Sequence, residues 1–197
     1  MAEIALTAVI NKAIHISSNA LFNEVSSASS LQENIDNGCM LLEPKWLCKV
    51  GPSTRRLAVS GASRETIDVL NNKNNVNFKK LENLRLSNDA THVISSGSFN
   101  MSGYPNLLKM HLDVFFSPSK LPRSEHFPPN LIKLTLLKNR LKADPLRTLN
   151  KLPKLKILKL DFDCYIGKTM DCDAGFCQLE VLRIRGLDNL EELMKDG

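Results

Sequence analysis

A glycine, a lysine and a threonine at positions 167 to 169 are the feature of this sequence that comes nearest to a chemical motif. Gly167-Lys168-Thr169 matches the end of a phosphate-binding loop, in which backbone amides and the lysine hold the phosphates of a nucleotide. The complete motif needs a glycine five residues before Gly167, and Phe162 stands there. It also needs a strand before the loop and a helix after it. We therefore expect no nucleotide binding at this tripeptide.

Histidine and cysteine supply the other candidates for catalysis or metal binding. The four histidines are scattered and have no acid or nucleophile at a recognisable spacing. The five cysteines are odd in number and form no C-x-x-C pair, which predicts reduced thiols. Cys164, Cys172 and Cys177 lie close together, but no histidine is near enough in sequence to complete a zinc site. The residues therefore predict a protein that is not an enzyme and holds no metal or cofactor.

Leucines at a nearly fixed step give the strongest structural signal. Five segments follow the pattern Leu-x-x-Leu-x-Leu, with Met or Ile replacing one leucine in two of them, and their starts lie 26, 24, 24 and 24 residues apart. This step and pattern are typical of leucine-rich repeats. The sequence predicts an α/β repeat solenoid, an irregular leucine-rich-repeat horseshoe with a parallel concave sheet. The five segments begin at Leu81, Leu107, Leu131, Leu155 and Leu179.

The repeats are irregular in their returning segments. Leu57 and Val59 stand 27 residues before the equivalent leucines of the first regular repeat, which predicts a degenerate first strand. Short helices are expected after Ser63, over 64–71, and after Asp144, which would cap a helical turn that Pro145 begins.

The asparagine that usually bonds the turn after each strand occurs only once, as Asn139, in the third repeat. At the other end, Leu187, Leu190 and Leu193 resemble the start of a further unit. They predict an apolar C-terminal edge.

Side chains at alternate strand positions should point away from the core and form the concave face. Six of the fifteen predicted positions are Lys or Arg and two are Asp, so we expect the face to attract an acidic partner. A solvated, mildly basic sheet face without a ligand is the alternative. Nucleic acid is not favoured, because no aromatic residues are interleaved with the cations. The candidate protein-binding residues are Arg85, Lys109, His111, Lys133, Thr135, Lys159, Asp161, Arg183 and Arg185.

The N-terminal part differs from the repeats. Residues 1–44 carry one lysine against five acidic residues, whereas the whole chain has a net charge of +5. Apolar residues return every three or four positions over 2–25, which predicts an amphipathic helix. We therefore divide the chain into an N-terminal helical segment (1–36), a junction (37–52) and a leucine-rich-repeat domain (53–197). No apolar run is long enough for a transmembrane segment.

Both ends resemble one protein family. Residues 1–14, Met-Ala-Glu-Ile-Ala-Leu-Thr-Ala-Val-Ile-Asn-Lys-Ala-Ile, are similar to the start of the coiled-coil domain of plant intracellular immune receptors, as is Leu31-Gln-Glu-Asn-Ile-Asp36 to the following helix. These receptors are the coiled-coil, nucleotide-binding, leucine-rich-repeat (NLR) disease resistance proteins. The repeats resemble the same family through the segments that begin Phe78-Lys-Lys-Leu, Phe127-Pro-Pro-Asn-Leu, Leu152-Pro-Lys-Leu and Phe176-Cys-Gln-Leu.

The resemblance implies a role in the defence response and a cytoplasmic location, with a position at the plasma membrane surface as a second option. The family's nucleotide-binding module has no counterpart between the two similar parts, so we expect a truncated relative that cannot exchange ATP and ADP. Its expected partner is a pathogen effector, a host protein or the nucleotide-binding module of a related receptor. Two alternatives stay open: a generic intracellular leucine-rich-repeat scaffold unrelated to defence, and a degenerate, non-functional paralogue. The oligomeric state is not predicted.

Overall fold

The computed structural model describes residues 40–42, 47, 53–72, 78–171, 176 and 178–194. The predicted N-terminal helical segment, 1–36, lies outside these residues, as does most of the predicted junction, 37–52. Within that junction range, residues 40–42 form a strand. The domain boundaries stay a prediction.

Strands dominate the described part of the chain. In chain order they are Met40–Leu42 (β1), Arg56–Val59 (β2), Asn83–Ser87 (β3), Val93–Ser95 (β4), Lys109–Asp113 (β5), Phe115–Ser117 (β6), Lys133–Leu137 (β7), Ile157–Asp161 (β8), Thr169–Asp171 (β9), Val181–Arg185 (β10) and Glu192–Met194 (β11). Seven of them form one sheet in the order β1-β2-β3-β5-β7-β8-β10, with every neighbouring pair parallel. The return segments contribute two small parallel pairs, β4–β6 and β9–β11. The predicted parallel sheet is therefore confirmed.

The leucine pattern sets the register of the large sheet. Leu84, Met110, Leu134, Leu158 and Leu182 are successive partners across five strands. The degenerate first strand pairs as expected, with Leu57 opposite Leu84 and Val59 opposite Leu86. Register is specified strongly here, because a slip of one residue would turn a whole set of leucines from the core to solvent.

The leucines of the first four regular repeats form the core. Leu134, Leu136 and Leu158 are fully buried, as are the leucines that begin these segments, such as Leu131 and Leu155. Burying one such side chain contributes roughly 1.5–3 kcal/mol. The core is shared between neighbouring repeats, so no single repeat has its apolar surface covered without the next.

Two short α-helices in the described residues close the core on the return side, and a 3-10 helix spans Ser124–His126. In Arg64–Asn71 (α1), the Ser63 amide donates to Thr66 Oγ1 at 3.1 Å, and Ile67 and Leu70 are buried as predicted.

The second helix, Leu146–Leu149 (α2), begins one residue later than predicted. Asp144 still caps it, since Asp144 Oδ1 accepts a hydrogen bond from the Leu146 amide at 2.8 Å. Asp144 Oδ2 accepts from the Asp171 amide, also at 2.8 Å, so one side chain joins α2 to β9.

The turn after each strand is held by bonds between repeats. Buried Asn139 donates through Nδ2 to the carbonyls of Leu112 at 3.0 Å and Val114 at 2.7 Å, which confirms its predicted turn-bonding role. A similar bridge that the repeat pattern did not predict is made by Asn88. Its Nδ2 donates to the Ala62 carbonyl at 3.2 Å, and its Oδ1 accepts from the Phe115 amide at 3.1 Å.

The last strand of the sheet is less covered than the others. Leu182 is 39% exposed, although its register partner Leu158 is fully buried. Val181, Leu193 and Met194 are also exposed, so large apolar side chains concentrate at the β10 edge and in β11. This exposure agrees with the apolar C-terminal edge expected from the sequence.

Candidate protein-binding site

One face of the large sheet carries all nine residues that the sequence singled out. Backbone pairing aligns the outward positions of β3, β5, β7, β8 and β10 into rows that cross the strands, and we call this set the outer face. The first row is Asn83, Lys109, Lys133, Ile157 and Val181; the second is Arg85, His111, Thr135, Lys159 and Arg183; the third is Ser87, Asp113, Leu137, Asp161 and Arg185.

The two cations of β10 on the outer face, Arg183 and Arg185, share one carboxylate. The Asp161 side chain is only 9% exposed, and its Oδ1 lies 3.3 Å from Arg185 Nε and 3.8 Å from Arg183 Nε. Arg185 also lies over the Phe162 ring, 4.8 Å from its centroid. Because a buried carboxylate needs a nearby opposite charge, these two arginines stabilise the Asp161 carboxylate and are less available to bind a partner protein.

The cations of β3, β5, β7 and β8 on this face have no such partner in the described part of the chain. Among the described residues, Arg85, Lys109, Lys133 and Lys159 form no ion pair. Burial lowers the pKa of Lys133, and the nearby charges of Lys159 and Lys109 lower it further. Such a shift indicates that positive charge is crowded here, since like charges disfavour the protonated form.

Asp113, on β5, is the other acidic residue of the outer face. Burial raises its pKa, while the charges of Lys138 and Arg85 act in the opposite direction. It forms no ion pair within 4.0 Å in the described chain, and the outer face keeps an excess of positive charge because it holds six cations and two carboxylates.

A shallow pocket opens among these cations. It has a volume of about 180 Å³ and is lined by Arg85, Lys109, His111, Lys133 and Thr135, above strand atoms of Leu84 and Met110. Burial lowers the pKa of His111 to about 4; the charges of Arg85 and Lys133 act in the same direction and that of Asp161 opposes them. The imidazole is therefore neutral at neutral pH, and its buried Nε2 has no hydrogen-bond partner among the residues that the structure describes.

Two residues of the outer face are more covered than outward positions on a strand usually are. Thr135 is 8% exposed and Asp161 is 7% exposed, although both belong to the predicted face. The long side chains around them account for this, since lysine and arginine lay their apolar stems over neighbouring positions. The pairing of Asp161 with the two arginines gave no signal in the sequence, because it links adjacent strands through side-chain conformation.

The phosphate-loop tripeptide has a different structural context from a nucleotide site. Lys168 Nζ makes an ion pair with Glu191 Oε1 at 2.7 Å, and the segment continues directly into β9 rather than into a helix. The backbone of Lys168 accepts hydrogen bonds from the amides of Glu191 and Glu192. This lysine is thus tied to the last described segment of the chain.

Histidine and cysteine were the other candidates for chemistry in the sequence. Cys164 is buried, and burial raises the pKa of its thiol to about 12, so the nucleophilic thiolate is scarce at neutral pH. The other four cysteines lie outside the described residues. Within the described ranges, no group of three or more His, Cys, Asp or Glu side chains is arranged to hold a metal ion.

Sequence comparison places the chain among plant defence proteins. A tomato protein, ToMV resistance protein Tm-2(GCR236) from Solanum lycopersicum, is 35% identical over 156 residues, which is 77% of this chain and 17% of that protein. Disease resistance protein RPP8 from Arabidopsis thaliana is 32% identical over 150 residues, 73% of this chain and 16% of that protein. The putative disease resistance protein At1g59780 from the same plant is 41% identical over 89 residues, 44% of this chain and 10% of that protein.

The chain belongs to the NLR family of plant disease resistance proteins. The matched part spans about a sixth of the length of the first two of these relatives, at 17% and 16%. No protein-family model matches the sequence. The predicted relation to defence is confirmed by these homologues, and they do not favour a scaffold unrelated to defence.

In the part of the chain that the structure describes, no helix has the length and apolar character needed to cross a membrane.

Proposed function

We propose that the large parallel sheet is the concave wall of an irregular leucine-rich-repeat solenoid, and that the outer face is its ligand-binding surface. Two observations support this geometry. The strands recur at a step of 24 to 26 residues, and equivalent leucines stay in register from β3 to β10. Repeats that each bury their leucines against the next form a continuous core and an extended surface.

The function that this surface supports best is non-enzymatic recognition of a protein during the defence response. The observation that carries the proposal is a face with four cations that lack ion pairs within the described chain, in a homologue of disease resistance proteins. Such a face speeds the approach of an acidic partner and selects against basic ones. The partner is a pathogen effector, a host protein or the nucleotide-binding module of a related receptor.

A leaf assay tests the proposal. The full chain is expressed transiently together with a full-length disease resistance relative and the elicitor of that relative, and cell death is measured by ion leakage. We expect the chain to raise or lower the response, and the variant Lys109→Glu, Lys133→Glu to lose that effect. The control variant Lys120→Glu, Lys151→Glu removes the same charge from exposed lysines outside the outer face and should act like the unmodified chain.

Two results would count against protein recognition by the outer face. One is a response that the unmodified chain leaves unchanged at equal protein abundance. The other is an equal loss of effect in both double variants, which would assign the effect to net charge rather than to this surface.

A further inference from the structure

The outer face divides electrostatically: the two cations of β10 lie beside a carboxylate, whereas those of β3, β5, β7 and β8 have none within 4.0 Å in the described chain. At the far end, Asp161 is buried between Arg183 and Arg185 and uses their charge. At the near end, Arg85, Lys109 and Lys133 line a pocket of about 180 Å³ and form no ion pair within 4.0 Å among the described residues, although the charge of Arg85 acts on the Asp113 carboxyl. A uniformly basic face, as the sequence suggested, would make all six cations equivalent; the structure makes them unequal.

The residues that line the pocket indicate which kind of anion it binds. Three cations from three successive strands, β3, β5 and β7, line it, so the pocket is surrounded by positive charge. Leu84 and Met110 also line the pocket, and because their side chains are buried in the core they contribute strand backbone on this face. The side chain of a glutamate or aspartate matches this charge, because its carboxylate can accept hydrogen bonds from the cations that line the pocket.

The residues inside the pocket are suited to a negatively charged guest. His111 lines the pocket and is held neutral, and a carboxylate bound beside it would favour its protonated form. Lys133 loses proton affinity to burial and to its lysine neighbours, and a bound anion would relieve that repulsion. Thr135 adds a hydroxyl at the side of the pocket.

We propose that the pocket formed by Arg85, Lys109, His111, Lys133 and Thr135 is an anchor for a glutamate- or aspartate-containing segment of the partner protein, and that Arg183 and Arg185 are not part of this anchor. The proposal rests on the proposed function and specifies where on the outer face recognition occurs. The partner segment carries at least two acidic side chains, since the three cations exceed the charge of one carboxylate.

A binding measurement with the intact chain tests the anchor. The probe is a fluorescein-labelled peptide of alternating glutamate and serine, and its dissociation constant is measured by fluorescence anisotropy at low and at physiological salt. We expect Lys109→Gln, Lys133→Gln to weaken binding by at least about tenfold, because two charges that meet the same carboxylates are lost. The matched variant Lys120→Gln, Lys151→Gln lowers the net charge equally, and Arg183→Gln removes a cation from the same face; both should change the constant by less than about threefold.

His111 provides a second readout that a folding defect does not imitate. The pKa of His111, followed by NMR in the unmodified chain, should rise when the peptide binds, because a nearby carboxylate favours the imidazolium. Circular dichroism spectra of the variants should match that of the unmodified chain.

The anchor is refuted if Arg183→Gln or the matched control weakens peptide binding as much as the pocket variant does, or if the peptide does not bind. It is also refuted if inorganic tripolyphosphate binds through Lys109 and Lys133 while the peptide does not, which would make the pocket a site for a free polyanion. If the anchor is refuted but the two double variants still differ in the leaf assay, protein recognition by the outer face remains supported. The anchor and the proposed function can therefore fail independently.

Discussion

Truncation of equivalent leucines in two repeats should have very different effects on stability. Leu134 and Leu182 occupy the same place in the repeat pattern, but Leu134 is fully buried, whereas Leu182 is 39% exposed. In the register of the sheet, Leu134 lies between Met110 and Leu158, which are also buried. A Leu134→Ala substitution would therefore create a cavity between the buried side chains of the two neighbouring strands.

The size of each effect follows from burial. Leu→Ala at a fully buried position costs roughly 2–5 kcal/mol, and the enclosed site of Leu134 places it at about 3–5 kcal/mol. Leu182→Ala removes a partly exposed side chain and leaves a surface recess rather than a cavity, so its cost is about 1 kcal/mol. Both variants remove the same atoms, so they differ only in their position in the sheet.

Urea unfolding of the 197-residue chain, followed by circular dichroism, measures both effects. With a slope of about 1–3 kcal/mol per molar urea, Leu134→Ala should lower the midpoint by more than about 1 M and Leu182→Ala by a small fraction of that. Equal shifts for the two variants, or a larger one for Leu182→Ala, would contradict the shared leucine core.

Three further predictions concern single side chains. Asn139→Ala should lower the free energy of unfolding by roughly 2–3 kcal/mol in the same urea assay, because the carbonyls of Leu112 and Val114 lose their donor inside the protein; a loss below about 0.5 kcal/mol would show that the bridge is dispensable. The pKa of His111 is about 4 in the folded chain against about 6.5 in the unfolded chain. Its contribution to the free energy of unfolding is therefore present above pH 6.5 and is lost as the pH falls towards 4. This contribution is about 3 kcal/mol at most, and the His111→Gln variant should lack this dependence on pH. Cys164 should resist iodoacetamide at pH 8 in the native chain and react after unfolding, as read by peptide mass spectrometry; rapid native alkylation would contradict its burial.

The parts of the fold that follow from repetition could be predicted from the sequence. A leucine step of 24 to 26 residues fixes which residues lie opposite one another, and so Lys109 and Lys133 were placed side by side correctly. The short helix α1 was also predictable, since Ser63 precedes it and Ile67 and Leu70 share its inner side.

The features that break the repetition were not predictable. Strand β1 contains three residues and follows no template, so only its pairing with β2 identifies it. Asn88 bridges neighbouring repeats one position away from the place that the pattern assigns to asparagine. The division of the outer face depends on whether Asp161 lies buried between two arginines, and charge counting along the sequence does not contain that information.

The proposed binding surface depends on the alignment of lysines on the outer face, and crosslinking of the unmodified chain measures that alignment. Lys109 and Lys133 are paired residues on adjacent parallel strands, whose backbones lie about 4.8 Å apart. A short-spacer amine crosslinker applied to the monomer fraction, followed by peptide mass spectrometry, should yield an abundant Lys109–Lys133 link that disappears in denaturant. A Lys109–Lys133 link no more frequent in the native chain than in the denatured one would contradict the sheet, its register and the binding surface together.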